Sequence, residues 1–139
     1  MEYKVFDEDI VVRLDKGDEV AKCLLEVAEK EGVALASVAG IGATDDFNVG
    51  VFDLDANEYK RLHYTANHEI NALTGNLTVK DGKPYLHLHI TCTNDDGKVV
   101  GGHLFDARIS LTAEIFVHRL SGSAERKYDE NLGINRIVF

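Results

Sequence analysis

The chain has 139 residues, 45% hydrophobic and 28% charged, with 24 acids against 15 lysines and arginines and a net charge of −9. Length and composition suit one compact domain over residues 1–139 with its own core, and they exclude a disordered or fibrous chain. Residues 1–60 hold 15 acids and 6 bases while residues 61–139 hold nine of each, so nothing resembles the clustered cations that displace counterions from a DNA duplex.

The opening MEYKVFDEDI lacks both a basic and an apolar leader stretch, and no later apolar run approaches the roughly 20 residues of a membrane span, so a soluble protein is expected. Tyr3–Phe6 and Ile10–Leu14 read as short strands around the acidic turn Asp7-Glu8-Asp9. From Asp18 to Glu31 the residues Val20, Ala21, Leu24, Leu25, Val27 and Ala28 recur at helical spacing and make one buried stripe. Asp15 or Asp18 can cap this helix and Gly32 can end it.

Beyond Gly32 the period falls to two. Strands are expected at Leu35–Ile41, Phe47–Asp53, Tyr59–Tyr64, Glu69–Val79, Tyr85–Thr93, Val99–Leu104 and Ile109–Leu120. Turns are expected at Asp45-Asp46, Asp55-Ala56-Asn57, Asp81-Gly82-Lys83 and Asn94-Asp95-Asp96-Gly97, and the single proline, Pro84, stands at a strand start. Many strands and one main helix make an α+β fold with a largely antiparallel, barrel-like sheet. Cys23 and Cys92 share no Cys-x-x-Cys spacing and read as buried free thiols of a cytoplasmic protein.

The histidines carry the chemical signal. In Tyr85-Leu-His-Leu-His-Ile-Thr-Cys-Thr93, Leu86, Leu88, Ile90 and Cys92 alternate with His87 and His89, which therefore share the opposite face. Their Cα atoms should lie about 6.6 Å apart, a spacing from which both imidazoles reach one metal ion. If Asn94 pairs with Lys98 around a left-handed Gly97, His89 stands opposite His103. A slip of one residue would instead face His103 with Leu88 or Ile90. Three neutral imidazoles with one position open are a common zinc arrangement, and imidazole also suits nickel, copper or iron. Spacing alone equally allows His87 and His89 to decorate a polar strand face while His103 fills a core position.

Glu69 and His68 are candidates for a general base or for supporting a ligand, whereas His63 and His118 read as surface or packed residues. Gly40-Ile-Gly42-Ala43 lacks the Lys-Ser/Thr of a phosphate loop, and Ser121-Gly-Ser123 precedes no helix and is no nucleophile elbow. Arg126-Lys-Tyr-Asp-Glu130 reads as a solvated tail or as a segment clasping a neighbour.

In order and spacing, several motifs together resemble the PPC domain, the plant and prokaryote conserved domain that accompanies AT-hooks in plants. They are the helix Gly17-Asp18 to Gly32, Val38-Ala-Gly-Ile-Gly-Ala43, Glu69-Ile-Asn-Ala-Leu-Thr-Gly75, Leu86-His-Leu-His-Ile90, Gly101-Gly-His-Leu104, and Arg126-Lys-Tyr-Asp129 with Gly133. The resemblance implies an α+β fold, a homotrimer, and a divalent metal site, zinc first, carried by His87, His89 and His103 near a subunit boundary. No Arg-Gly-Arg-Pro AT-hook stands in the sequence, which together with the charge disfavours direct DNA contact.

Three functions follow as expectations. The first is a trimeric binding or regulatory module with a metal-stabilised histidine site, taking a small anionic ligand or a protein partner. The second is a metal-dependent hydrolase or lyase for a small anionic substrate, with Glu69 as base. The third is DNA binding, a role often attached by name to the family this chain resembles, which the charge and the absent AT-hook oppose.

Overall fold

The alternating and helical patterns become eight strands and one helix in the computed structural model, which describes residues 1–139. In chain order they are β1 (Glu2–Phe6), β2 (Asp9–Asp15), α1 (Val20–Lys30), β3 (Ala36–Asp53), β4 (Glu58–Lys80), β5 (Lys83–Asn94), β6 (Val99–Arg119), β7 (Glu125–Asp129) and β8 (Ile134–Val138). The strands form a mostly antiparallel sheet, as the sequence patterns predict. β3 pairs with β4 and β6, and β5 bridges β4 and β6, so these four close on one another. β1 and β2 extend the sheet from β6, and β7 and β8 extend it from β4 through one parallel contact between Val79 and Glu125.

Three expected pairs of strands are each one long strand. Asp45-Asp46 is no turn: β3 runs through it, with register shifts at Gly40/Gly42 and Thr44/Asp46. Such bulges bend a strand without ending it. The two aspartates face outward, where Asp45 pairs with Arg108 and Asp46 with His63. Chain polarity there marks the solvent side of a strand.

α1 begins two residues later than expected, because Glu19 rather than Asp15 or Asp18 caps it, accepting from the backbone N–H of Ala21 and Lys22 at 2.9 and 2.7 Å. Gly32 takes φ +62° just past the helix, and the Val33 N–H returns to the Ala28 carbonyl, which ends the last turn. Val20, Cys23, Leu24, Val27 and Ala28 are buried and join the single 25-residue core with Phe47, Leu77, Ile90 and Ile115. No helix is long and apolar enough to cross a membrane.

The segment expected to be a solvated tail or a clasp on a neighbour is the hairpin β7–β8, folded against the chain's own sheet. Its anchor is Arg126, which is 5% exposed.

Candidate functional site

Strand alternation places the histidines. In β5, Leu88, Ile90 and Cys92 are buried and His87 and His89 point the other way. The Asn94 N–H donates to the Lys98 carbonyl, Gly97 is left-handed at φ +73°, and His89 pairs with His103 in register. His103 also pairs with Gly50 of β3, so this residue sits where β3, β5 and β6 meet.

The three rings converge. Their centroids lie 5.0 Å apart for His87 and His103, 5.4 Å for His87 and His89, and 5.5 Å for His89 and His103. One ring nitrogen from each lies within 4.8 Å of the others. Around a tetrahedral zinc with Zn–N near 2.05 Å the nitrogens would stand about 3.4 Å apart, so modest ring rotations suffice to close the set.

Aromatic rings wall one side. Tyr59 stacks on His103 at 4.7 Å, Phe105 meets the same imidazole edge-on at 5.2 Å, and the Arg61 guanidinium lies 3.8 Å over Phe105. Gly50 makes this packing possible, since a Cβ there would come within 2.7 Å of Tyr59 and 2.8 Å of Phe105. On the other side, Tyr59, Tyr85, His87, His103, Gly133, Ile134 and Asn135 enclose a cavity of about 130 Å³. The β7–β8 hairpin supplies three of these residues.

Charge around the site is positive. Arg126 donates through Nε to Thr78 Oγ1 at 2.9 Å, through Nη1 to the Asn135 carbonyl at 2.8 Å and through Nη2 to Asn76 Oδ1 at 2.9 Å, and Nη2 lies 3.5 Å from His87 Nδ1. Burial first, then the Arg126 charge and His89, hold the His87 pKa below the usual value. Burial, His87, His89 and Arg61 together push His103 down to about 4. Both rings are therefore neutral at pH 7, the state in which imidazole ligates metal. His103 Nδ1 is buried without a hydrogen-bond partner, an orphaned lone pair or N–H in keeping with a metal-binding ring.

The other expected residues lie elsewhere. Glu69 pairs with Thr93, four positions along β5 from His89, or about 13 Å at the strand rise. It lines a separate groove of about 460 Å³ with Ile41, Leu111 and Glu114. His68 is 6% exposed, its Nδ1 bonded to the Ala66 carbonyl at 2.9 Å and its ring edge-on to Phe47. It packs against Phe47 and Tyr64 and is not among the three converging histidines. His63 and His118 are on the surface as expected, and each meets an aspartate, Asp46 at 2.8 Å and Asp9 at 2.9 Å.

The sequence model of the Plants and Prokaryotes Conserved (PCC) domain matches residues 1–121 of this chain. The chain belongs to that family. Among solved structures, the PCC chain is similar to a candidate DNA-binding protein from Bacteroides thetaiotaomicron, at TM-score 0.96 and 30% identity over 99% of this chain and 96% of that one. It is similar to a metal-containing protein from Archaeoglobus fulgidus at TM-score 0.89 and 34% identity, over 99% and 97% of the two chains. It is also similar to a plant- and prokaryote-conserved protein from Pyrococcus horikoshii, at TM-score 0.85 and 31% identity over 94% and 91%. No curated protein sequence matches it significantly.

In this PCC chain the residues that sequence reasoning missed come mostly from other strands, Tyr59 from β4, Arg126 from β7 and Asn135 from β8, with Phe105 beside His103 on β6. Tyr59, Phe105 and Asn135 carry no motif, and Arg126 stands in one that sequence alone reads as a tail or a clasp. Asn76 was accessible in principle, because β4 register sets it opposite His87. Arg126 and Asn135 lie beyond the residues that the family model matches.

Proposed function

We propose that this chain is a homotrimeric binding or regulatory module of the PCC family whose His87, His89 and His103 hold one divalent metal ion, zinc first. The observation that carries the reading is the convergence of three ring nitrogens within 4.8 Å, with no carboxylate or thiol among them. Three imidazoles suit zinc in an open site, where the bound metal offers a Lewis-acid position to a small ligand. The neutral His87 and His103 rings and the unpaired His103 Nδ1 support it. So does the likeness to a protein from Archaeoglobus fulgidus named as metal-containing.

Protein purified without a histidine tag is expected to carry close to one equivalent of metal by mass spectrometry, and to lose it in His87→Ala plus His89→Ala. Unchanged metal content in that double variant would overturn the ligand assignment.

Catalysis draws no support from the carboxylate first considered as its base, since Glu69 stands about 13 Å away along the strand. Trimer formation is supported by exposed Ile41, Leu111 and Phe116 on neighbouring strands β3 and β6. Ile41 and Leu111 line one groove and Ile41 and Phe116 the next, with Glu114 in both walls, and exposed large apolar side chains gathered in this way suit an interaction surface. Buried Cys23 and Cys92, both free, fit a reducing cytoplasm. Similarity to candidate DNA-binding proteins gives the DNA reading its one support, and a net charge of −9 opposes it.

A further inference from the structure

Arg126 is a buried cation without an acid. All its hydrogen-bond partners are neutral: the Thr78 hydroxyl, the Asn135 carbonyl, the Asn76 side-chain oxygen and, at 3.5 Å, His87. A guanidinium cannot shed its proton, so the charge persists at every physiological pH, and a buried charge without a counterion is costly. The cavity beside it has no acidic residue in its wall. That wall instead contains Tyr85 and Asn135, and Asn135 Oδ1 is buried without a partner. The other amide end meets the Tyr85 hydroxyl at 3.3 Å, so whichever way the amide is turned, one polar end faces nothing. At about 130 Å³ the space holds roughly four water-sized groups, enough for a small carboxylate.

We propose that Arg126 couples metal loading to an anion: the histidine cluster takes a divalent cation together with a small carboxylate in the Tyr85–Asn135 cavity, and takes the cation weakly alone. This inference rests on the metal-site reading above. Its physical basis is like-charge repulsion in a poorly solvated setting, where a dication placed among His87, His89 and His103 meets Arg126 behind His87 and Arg61 beyond Phe105. An anion in the cavity that His87 and His103 line offsets that repulsion, and the Tyr85 hydroxyl and the Asn135 amide of the wall supply its contacts. Linkage makes the effect mutual, so the metal also raises affinity for the anion.

The test is calorimetric titration of Co²⁺ into the metal-free full chain, with and without excess acetate. Acetate is expected to tighten Co²⁺ binding by about tenfold or more. In Arg126→Gln, Co²⁺ alone should bind at least as tightly as to the natural chain, with an acetate gain below about twofold. If Arg126 merely pins the hairpin, the substitution instead weakens Co²⁺ binding and leaves the acetate gain intact, which overturns the coupling. Asn135→Asp tests the idea without touching Arg126: the added carboxylate should strengthen binding of Co²⁺ alone and abolish the acetate gain. Co²⁺ uptake with no acetate effect in the natural chain overturns this inference and leaves the metal site standing. No Co²⁺ uptake in either buffer overturns the metal site itself, and the coupling with it.

Discussion

Cys92 has no exposed surface, and burial pushes its thiol up to about 12. An unfolded thiol titrates near 8.5, so the folded value is the higher one. Its contribution to stability is complete below that lower value and is lost as pH rises from there toward 12. Between pH 8 and pH 10 the urea midpoint should therefore fall more steeply in the natural chain than in Cys92→Ala, by about 1–2 kcal/mol of stability. Native protein should also leave Cys92 unmodified by a thiol reagent at pH 8 that labels it in urea. Prompt labelling of the folded chain would contradict the burial that sets this value.

At the level of elements, Gly75 governs how β4 and β5 meet behind the metal-site candidate. It pairs with Leu88, next to His87, and a Cβ on it would run into the His87 carbonyl and lie 2.9 Å from Leu88 Cα. Backbone cannot rotate away from such a contact, so Gly75→Ala must push the two strands apart. Stability should drop by about 1–3 kcal/mol in urea unfolding. Co²⁺ affinity should fall with it, because His87 is carried by the displaced segment. Unchanged stability and affinity would mean that the strands relax without moving the ring.

The hairpin carrying His89 and His103 was legible in the sequence because its information is local: strict alternation, one left-handed glycine and one pairing rule. The breaks expected in β3, β4 and β6 were not real, because outward polar residues and bulges in long strands imitate turns. Asp45 and Asp46 show why, each being paired on the surface rather than starting a reversal. Arg126 was illegible for a different reason. Whether an arginine is solvated or buried depends on what the fold sets against it, and Asn76 and Thr78 lie 50 and 48 residues away.

For the whole molecule, two surfaces make opposite predictions. The exposed side chains Ile41 at 57% and Phe116 at 52% flank Glu114 over a groove on the outer sheet face. In the proposed trimer they are covered, so Phe116→Asp is expected to yield a monomer by sedimentation equilibrium with an unchanged circular dichroism spectrum. A natural chain that sediments as a monomer would remove the trimer. The chain as a whole carries a net charge of −9, and a labelled DNA duplex should show no retardation at physiological salt. Affinity that survives high salt would restore a nucleic-acid role.

The position of the histidines also orders events in time. His87, His89 and His103 belong to one hairpin, β5–β6, whereas β2 must find β6 over a long stretch, as in the Thr112 bond to the Leu14 carbonyl across 98 residues. Short loops close early and long ones late. On the proposed reading, the donor set assembles in the nascent chain before the outer seam of the sheet is sewn, so metal binds partly folded protein as well as native. An ion shared by both states steadies the native fold by less than its affinity for the finished site would imply.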